Sequence, residues 1–331
     1  MDKKRFREIA ARFQGLRLLV IGDLMLDEFI WGKVSRISPE APVPVVDVTS
    51  ESYYPGGAAN VARNLREFTS HVDVLGAAGE DPAGARLLSL LERSGIGTAG
   101  VIQDASYSTI VKTRIIARHQ QVVRVDRDRR VSVEGPHLDR ALAFLARAAA
   151  DVDGIVVSDY NKGFVTQALA DEILAAARHR GKILTVDPHP RTSLEWHGAT
   201  AIKPNRSEAF HAAGIAPSDS VEPASRDSAL LEAGSRLLDR WQPRNLVVTL
   251  GEQGMMLFRP GEASFHIPAC AHDVFDVSGA GDTAIALLTL GLCSGAGARE
   301  AAELANLSSG IVVGKLGTAT VNAAELEAAM E

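Results

Sequence analysis

The chain has 331 residues, 46% hydrophobic and 23% charged, with a formal net charge of −6; this is ordinary globular composition, and it gives no general basic field for nucleic acid. No apolar run approaches the ~20 residues of a membrane-spanning helix, and the mixed-charge start Asp2-Lys3-Lys4-Arg5 lacks the apolar stretch of a secretory signal. Cys270 and Cys293 show no metal-ligand spacing and no disulfide framework, so a reduced cytoplasmic setting is expected.

Residues 16–21 form a short apolar run that ends at Gly22-Asp23, the pattern of a buried strand with polar residues at its C-terminal end. Similar runs recur at 72–75, 154–158, 182–187, 201–203 and 246–250. Helical patterns at 58–68, 83–94, 138–150, 165–178, 230–240 and 283–293 lie between or after them. Such alternation predicts an α/β fold, a mostly parallel sheet covered on both faces. Ligands of such sheets gather beyond the strand C-termini, where Asp23, Asp159, Asp187, Lys203 and Gly251 fall. Two stretches break the alternation. Residues 28–34 with 43–48, and 109–117 with 122–126, read as antiparallel ribbons outside the main sheet. Their apolar residues Ile30, Trp31, Val43, Val45, Ile110 and Ile115 must be covered by something. The polar, proline-containing stretch 217–227 is expected to be a surface excursion, and no internal repeat is evident.

The stretch Asp276-Val277-Ser278-Gly279-Ala280-Gly281-Asp282-Thr283 carries the most chemistry. Gly279, Ala280 and Gly281 let their N–H groups approach an anion, and the apolar helix that follows adds its open N–H groups and positive dipole end. Asp282 beside that hole has the makings of a base that takes a proton from an attacking hydroxyl. The bland alternative is a first-turn carboxylate favoured by the helix dipole. In Lys203-Pro204-Asn205-Arg206-Ser207-Glu208, Asn205 and Glu208 have capping-box spacing. Thr249-Leu250-Gly251-Glu252-Gln253-Gly254 follows a buried strand, with two glycines three apart, and by itself reads as a strand-to-hairpin turn. Gly56-Gly57 opens an Ala-rich helix carrying Asn60, and Asp27 lies just beyond the first strand; both suit sugar hydroxyls, and both also suit a plain turn or a solvated acid. No G-x-x-x-x-G-K-[ST] loop occurs.

Asp-x-Ser-Gly-Ala-Gly-Asp resembles the C-terminal signature of the ribokinase-like (PfkB) sugar kinases, and the resemblance extends over essentially the whole chain. The runs Gly22-Asp23-Leu24-Met25-Leu26-Asp27 and 31–45, together with Ser158-Asp159-Tyr160-Asn161-Lys162-Gly163, resemble more narrowly the heptose 7-phosphate kinases of lipopolysaccharide core synthesis. The resemblance implies a single ribokinase-like domain over 1–331. Its fold would be a three-layer sandwich with a small β-lid formed by about 28–48 and 109–127, the lid often serving as a dimer clasp. It implies Asp282 as base, with Gly279, Ala280 and Gly281 as the anion hole. ATP would be held by Asn205, Arg206, Ser207, Glu208, Thr249, Gly251, Gly254 and Asn306, with Mg²⁺ on Glu208 through water. Asp27, Gly56, Gly57 and Asn60 would meet the sugar, and Lys112, Arg124 and Lys162 its phosphate. The reaction implied is phosphorylation at O1 of D-glycero-β-D-manno-heptose 7-phosphate. No H-x-G-H element occurs in the sequence, so the nucleotidyltransferase of bifunctional relatives is expected on a separate enzyme. The rivals are a fructose, ribose or nucleoside kinase on the same fold, and a sugar sensor that does no chemistry. Neither nucleic acid nor membrane is expected as a partner.

Overall fold

The computed structural model describes residues 1–118, 120–130, 133–270, 274–315 and 317–330. The strands in chain order are β1 (Arg17–Gly22), β2 (Leu24–Ile37), β3 (Pro44–Gly57), β4 (His71–Gly79), β5 (Gly97–Asp104), β6 (Ile110–Ala117), β7 (Gln120–Arg127), β8 (Gly154–Ser158), β9 (Ile183–Asp187), β10 (Ala201–Ile202), β11 (Asn245–Thr249), β12 (Met255–Phe258) and β13 (Phe265–Ile267). Among the described residues, nine of them make one sheet in the order β13-β12-β11-β10-β9-β8-β1-β4-β5. Pairing is parallel from β11 through β5, and the hairpin β11-β12-β13 adds two antiparallel strands at one edge.

Alternation along the strands builds two cores, one on each face of the sheet. Leu18 and Val20 of β1 pack with the helices Ala58–Arg66, Ala280–Cys293 and Ala298–Val313, while Leu19 and Ile21 pack with Pro136–Asp151, Gln167–Arg180 and Ser228–Trp241. The result is a three-layer sandwich, with helices on both faces of the mostly parallel sheet. Helix 280–293 is mostly apolar, and ten of its residues from Asp282 to Gly291 are buried, the polar Asp282, Thr283 and Thr289 each with a hydrogen-bond partner. It runs through the interior with only its N-terminus at the strand ends.

The two expected ribbons are one sheet. β2 pairs antiparallel with β3 and parallel with β6, and β6 pairs antiparallel with β7, giving the order β3-β2-β6-β7. The parallel β2–β6 pairing joins segments 85 residues apart (Glu28 opposite Thr113), a contact that alternation along either ribbon does not reveal. Its strands are longer than the expected ribbons, and β2 starts directly from the end of β1. His119, inside the second expected segment, lies outside the described residues. The 217–222 stretch is exposed, as expected of a surface excursion, but its end is anchored by buried Ala224 and Asp227.

Candidate active site

The C-terminal ends of β1, β8, β9, β10 and β11 converge on the N-terminus of helix 280–293. Gly279 is its N-cap, with φ +81°, a backbone state in which a side chain is strained; an added Cβ would also lie 2.9 Å from Asn60 Nδ2. No side chain caps the helix; Ala280 N donates to Val277 O (3.3 Å), while the N–H groups of Gly281 and Asp282 point out of the first turn at the positive end of the dipole. Asp276 shapes the approach by accepting from Ser278 N (2.9 Å) and Gly317 N (3.2 Å).

Asp282, 5% exposed, sits in the first turn. Asn60 Nδ2 donates to its Oδ2 (2.7 Å), and the Tyr160 hydroxyl donates to its Oδ1 (2.6 Å). Burial pushes its carboxyl up to about 6; the two hydrogen bonds pull the other way, Asp187 adds to the rise and Lys203 opposes it. A buried carboxylate that titrates near neutrality is suited to take up a proton. Asn60 is fixed from behind by Asn64, whose Nδ2 donates to Asn60 O and whose Oδ1 accepts from Thr283 Oγ1. Asn60 Oδ1 is buried without a partner, an acceptor left free for a hydroxyl.

Two clefts meet at the Gly279–Asp282 turn. A polar one of about 490 Å³ is lined by Asp187, Lys203, Asn205, Arg206, Ser207, Glu208, Gly279, Gly281 and Asp282. Lys203 is 2% exposed and pairs with Asp187 at 3.0 Å, and its ammonium would lie 3.7 Å from a Cβ added at Gly281. Asn205 caps the helix Arg206–Ala212: its Oδ1 accepts from Glu208 N, and Glu208 Oε2 accepts from Asn205 N. Burial and then the Asp187 charge raise the Glu208 carboxyl to about 7. Arg206 touches this cleft, but its guanidinium is engaged elsewhere, pairing with Asp227 (2.7 Å), reaching Asp219 O and lying over Phe210. It anchors the 217–227 excursion. The second cleft, about 700 Å³ and mostly apolar, is lined by Thr249, Gly251, Gly254, Val274, Val277, Ala280, Ala284 and Asn306 among others. Asn306 Nδ2 donates to Pro268 O (2.8 Å) and so fastens one wall. Both clefts share Thr249, Gly251 and Gly281, so a ligand with an apolar ring and an anionic tail fits across them.

The small sheet supplies the other side. Asp27 is buried on β2, opposite Lys112 of β6 and Tyr54 of β3, and pairs with Arg114. Gly56 makes room for it, since a Cβ there would come 2.3 Å from Asp27 Oδ2, and Gly57 starts the helix that carries Asn60. Lys112 Nζ lies 5.3 Å from the Tyr160 ring. Its pKa is lowered, first by burial; Asp27 opposes this, while Lys162, Arg114 and Arg124 add to it. Arg114 and Arg124 face each other across β6 and β7. Arg124 is half exposed and holds Asp126; Lys162 holds Asp128. The pairings of Tyr160 with Asp282, of Arg114 with Asp27 and of Lys203 with Asp187 have no part in the sequence reading. Tyr160 stands in the Ser-Asp-Tyr-Asn-Lys-Gly run singled out there, and that run was the available signal.

Residues 16–325 match the profile described as pfkB family carbohydrate kinase. The chain belongs to the pfkB family of carbohydrate kinases. This pfkB chain is 44% identical over 327 residues to the "Bifunctional protein HldE" of Geobacter sulfurreducens, covering 98% of the chain and 65% of that relative. It is 42% identical over 330 residues to the protein of that name from Geobacter metallireducens, covering 100% of the chain and 66% of the relative. It thus spans just under two thirds of the length of these curated relatives. Among solved structures, phosphofructokinase-2 from Escherichia coli in complex with potassium superposes with a TM-score of 0.76 at 18% identity, covering 95% of this chain and 98% of that one. The ribokinase of Arabidopsis thaliana complexed with ribose and ATP gives 0.73 at 15%, covering 96% and 99%. At such identities these two speak for the pfkB fold alone. Among the described residues no helix is long and apolar enough to cross a membrane.

Proposed function

We propose that the protein transfers the γ-phosphoryl group of ATP to O1 of D-glycero-β-D-manno-heptose 7-phosphate, forming the 1,7-bisphosphate for ADP-heptose and lipopolysaccharide core synthesis. The observation that carries a phosphorylated acceptor is the cationic crowd on the small sheet. Like charges opposed across strands repel, yet Arg114 and Arg124 are opposed, and together with Lys162 they add to the lowering of the Lys112 pKa. Asp27, Asp126 and Asp128 offset part of that charge; a phosphate dianion placed among the cations would offset the remainder, and a neutral sugar would not. The choice of a heptose rests on the narrower motif resemblance.

In this reading ATP spans the two clefts, with adenine against the apolar wall by Asn306 and phosphates toward Lys203 and the Gly279–Asp282 turn. Asp27 and the free Asn60 Oδ1 hold sugar hydroxyls. Asp282 takes the O1 proton, the oxygen bonds to the γ-phosphorus and the bond to ADP breaks. The N–H groups of the turn meet the charge that develops on the transferring oxygens. Arg206 serves by anchoring the adjoining excursion. Among the described residues no group of three metal-ligating side chains is clustered. The site therefore fits Mg²⁺ only as an ion that keeps its waters and nucleotide oxygens, held by Glu208 with Asn205 close by. The mutual repulsion of Glu208 and Asp187 favours a cation there. When bound, Mg²⁺ neutralises phosphate charge. The small sheet acts as a lid over the sugar and as the clasp of a two-fold homodimer. Val43, Val48, Val122, Val123 and Val125 leave it with exposed apolar side chains, and Ile30, Val45 and Ile115 are half-buried. The test compares kcat/KM for heptose 7-phosphate, unphosphorylated heptose, fructose and ribose; equal turnover with and without the 7-phosphate would favour a neutral-sugar kinase.

A further inference from the structure

Asp282 is held by Tyr160, a residue 122 positions away on the loop that follows β8, and that loop is organised by one buried carboxylate. Asp23, 2% exposed at the end of β1, accepts three backbone hydrogen bonds from it. Its Oδ2 takes Tyr160 N (2.8 Å) and Lys162 N (3.0 Å), and its Oδ1 takes Phe164 N (3.1 Å). The loop turns through Asn161 in the left-handed region (φ +57°), with Asn161 N donating to Asp159 Oδ1. These contacts fix the backbone of Tyr160 while its side chain reaches the helix 280–293 N-terminus.

We propose that Tyr160, set in place by Asp23, is a positioning residue of the reaction: its hydroxyl orients the Asp282 carboxylate toward the acceptor and holds it in the anionic form. The inference rests on Asp282 being the base. Each carboxylate oxygen has more than one lone pair, so a donor from Tyr160 and another from Asn60 leave room for the incoming proton. The Tyr160 hydroxyl stays protonated, because burial and the neighbouring Asp282 hold it well above the ordinary phenol range. It is therefore a donor throughout the working pH range. The charged or titratable groups facing Asp282 are Tyr160, Lys203 from the end of β10 and Asp187 from the end of β9; Asn60 from helix 58–66 adds a neutral donor. Removing the hydroxyl thus leaves Asn60 and Lys203 alone to oppose burial and Asp187.

The test is the pH dependence of kcat/KM in Tyr160→Phe, which keeps the ring beneath Lys112 and removes only the oxygen. The acid limb should move up by roughly one pH unit, about 1.4 kcal/mol. The loss should be several-fold larger at pH 6 than at pH 8, with KM for ATP unchanged. Asp23 itself is raised to about 6 by burial, so it titrates in the same region. Only the backbone of Tyr160 touches it, and the Phe variant leaves that contact intact. Asp23→Asn, which cannot accept all three N–H groups, should show the same displaced limb; if it fails to fold, Tyr160→Phe still decides. An acid limb unmoved in Tyr160→Phe, with Asp282→Asn inactive, would overturn the proposal and leave the base assignment standing. An active Asp282→Asn enzyme would overturn both.

Discussion

Replacing Asp282 by Asn separates two consequences of one buried carboxylate. The carboxyl is raised from 3.8 to about 6 in the folded protein, so the native state binds its proton more tightly than the unfolded chain does. The stabilisation from that proton is full below about pH 4 and is lost as pH rises through about 6. At pH 8 the protein carries the buried charge at a cost on the order of 3 kcal/mol. Asn removes the charge but offers one acceptor oxygen to the two donors, Tyr160 and Asn60, which returns about 1–2 kcal/mol of that gain. The variant should therefore be more stable than the parent at pH 8, by about 1–2 kcal/mol, and lose that advantage at pH 5, where the parent is protonated. Its turnover should fall by at least ~10²-fold, the range for losing a positioned base. Urea unfolding at both pH values and steady-state kinetics measure the two effects on one preparation. A variant that keeps its turnover, or that is less stable at pH 8 than at pH 5 relative to the parent, would refute this reasoning.

The other predictions address the flanking sites. Arg114→Ala and Arg124→Ala should each raise KM for the sugar phosphate by roughly 10–100-fold, the worth of a charge-assisted hydrogen bond, and leave KM for ATP near normal. Lys162→Ala should act in the same direction and less strongly, as a point charge; loss of ATP affinity instead would move these residues out of the phosphate site. Glu208→Gln should raise the Mg²⁺ concentration for half-maximal rate about tenfold or more. In the parent the requirement should grow below about pH 7, as the carboxylate takes up a proton; magnesium titrations at pH 6 and 8 read this. Val43→Asp with Val48→Asp should convert a dimer to monomer in sedimentation velocity, and a parent mass of one chain at all concentrations would contradict the clasp.

What the sequence discloses follows the range of the interactions. The turn at Gly279–Asp282 is legible because the glycines, the carboxylate and the helix they precede are adjacent in the chain. The capping box of Asn205 and Glu208 is equally local. Tyr160 on Asp282 and Arg114 on Asp27 are not, since the first needs helix 280–293 packed against the end of β8 and the second the pairing of β2 with β6. β5 escaped notice because Gly97 and Gly100 interrupt its alternation; both pack against β4, where a Cβ would meet Asp73 Oδ1 at 1.9 Å and Val74 O at 2.5 Å. Arg206 looked like an anion ligand beside Asn205, and only the fold shows its guanidinium turned to Asp227.

The central claim is the chemistry at O1, and phosphorus NMR of the product tests it most directly. With ATP, Mg²⁺ and D-glycero-β-D-manno-heptose 7-phosphate, a second sugar phosphorus signal coupled to the anomeric proton should grow as ATP is converted to ADP, while the 7-phosphate signal persists. ADP formed without that signal, or a new phosphate on any carbon other than C1, would contradict the account.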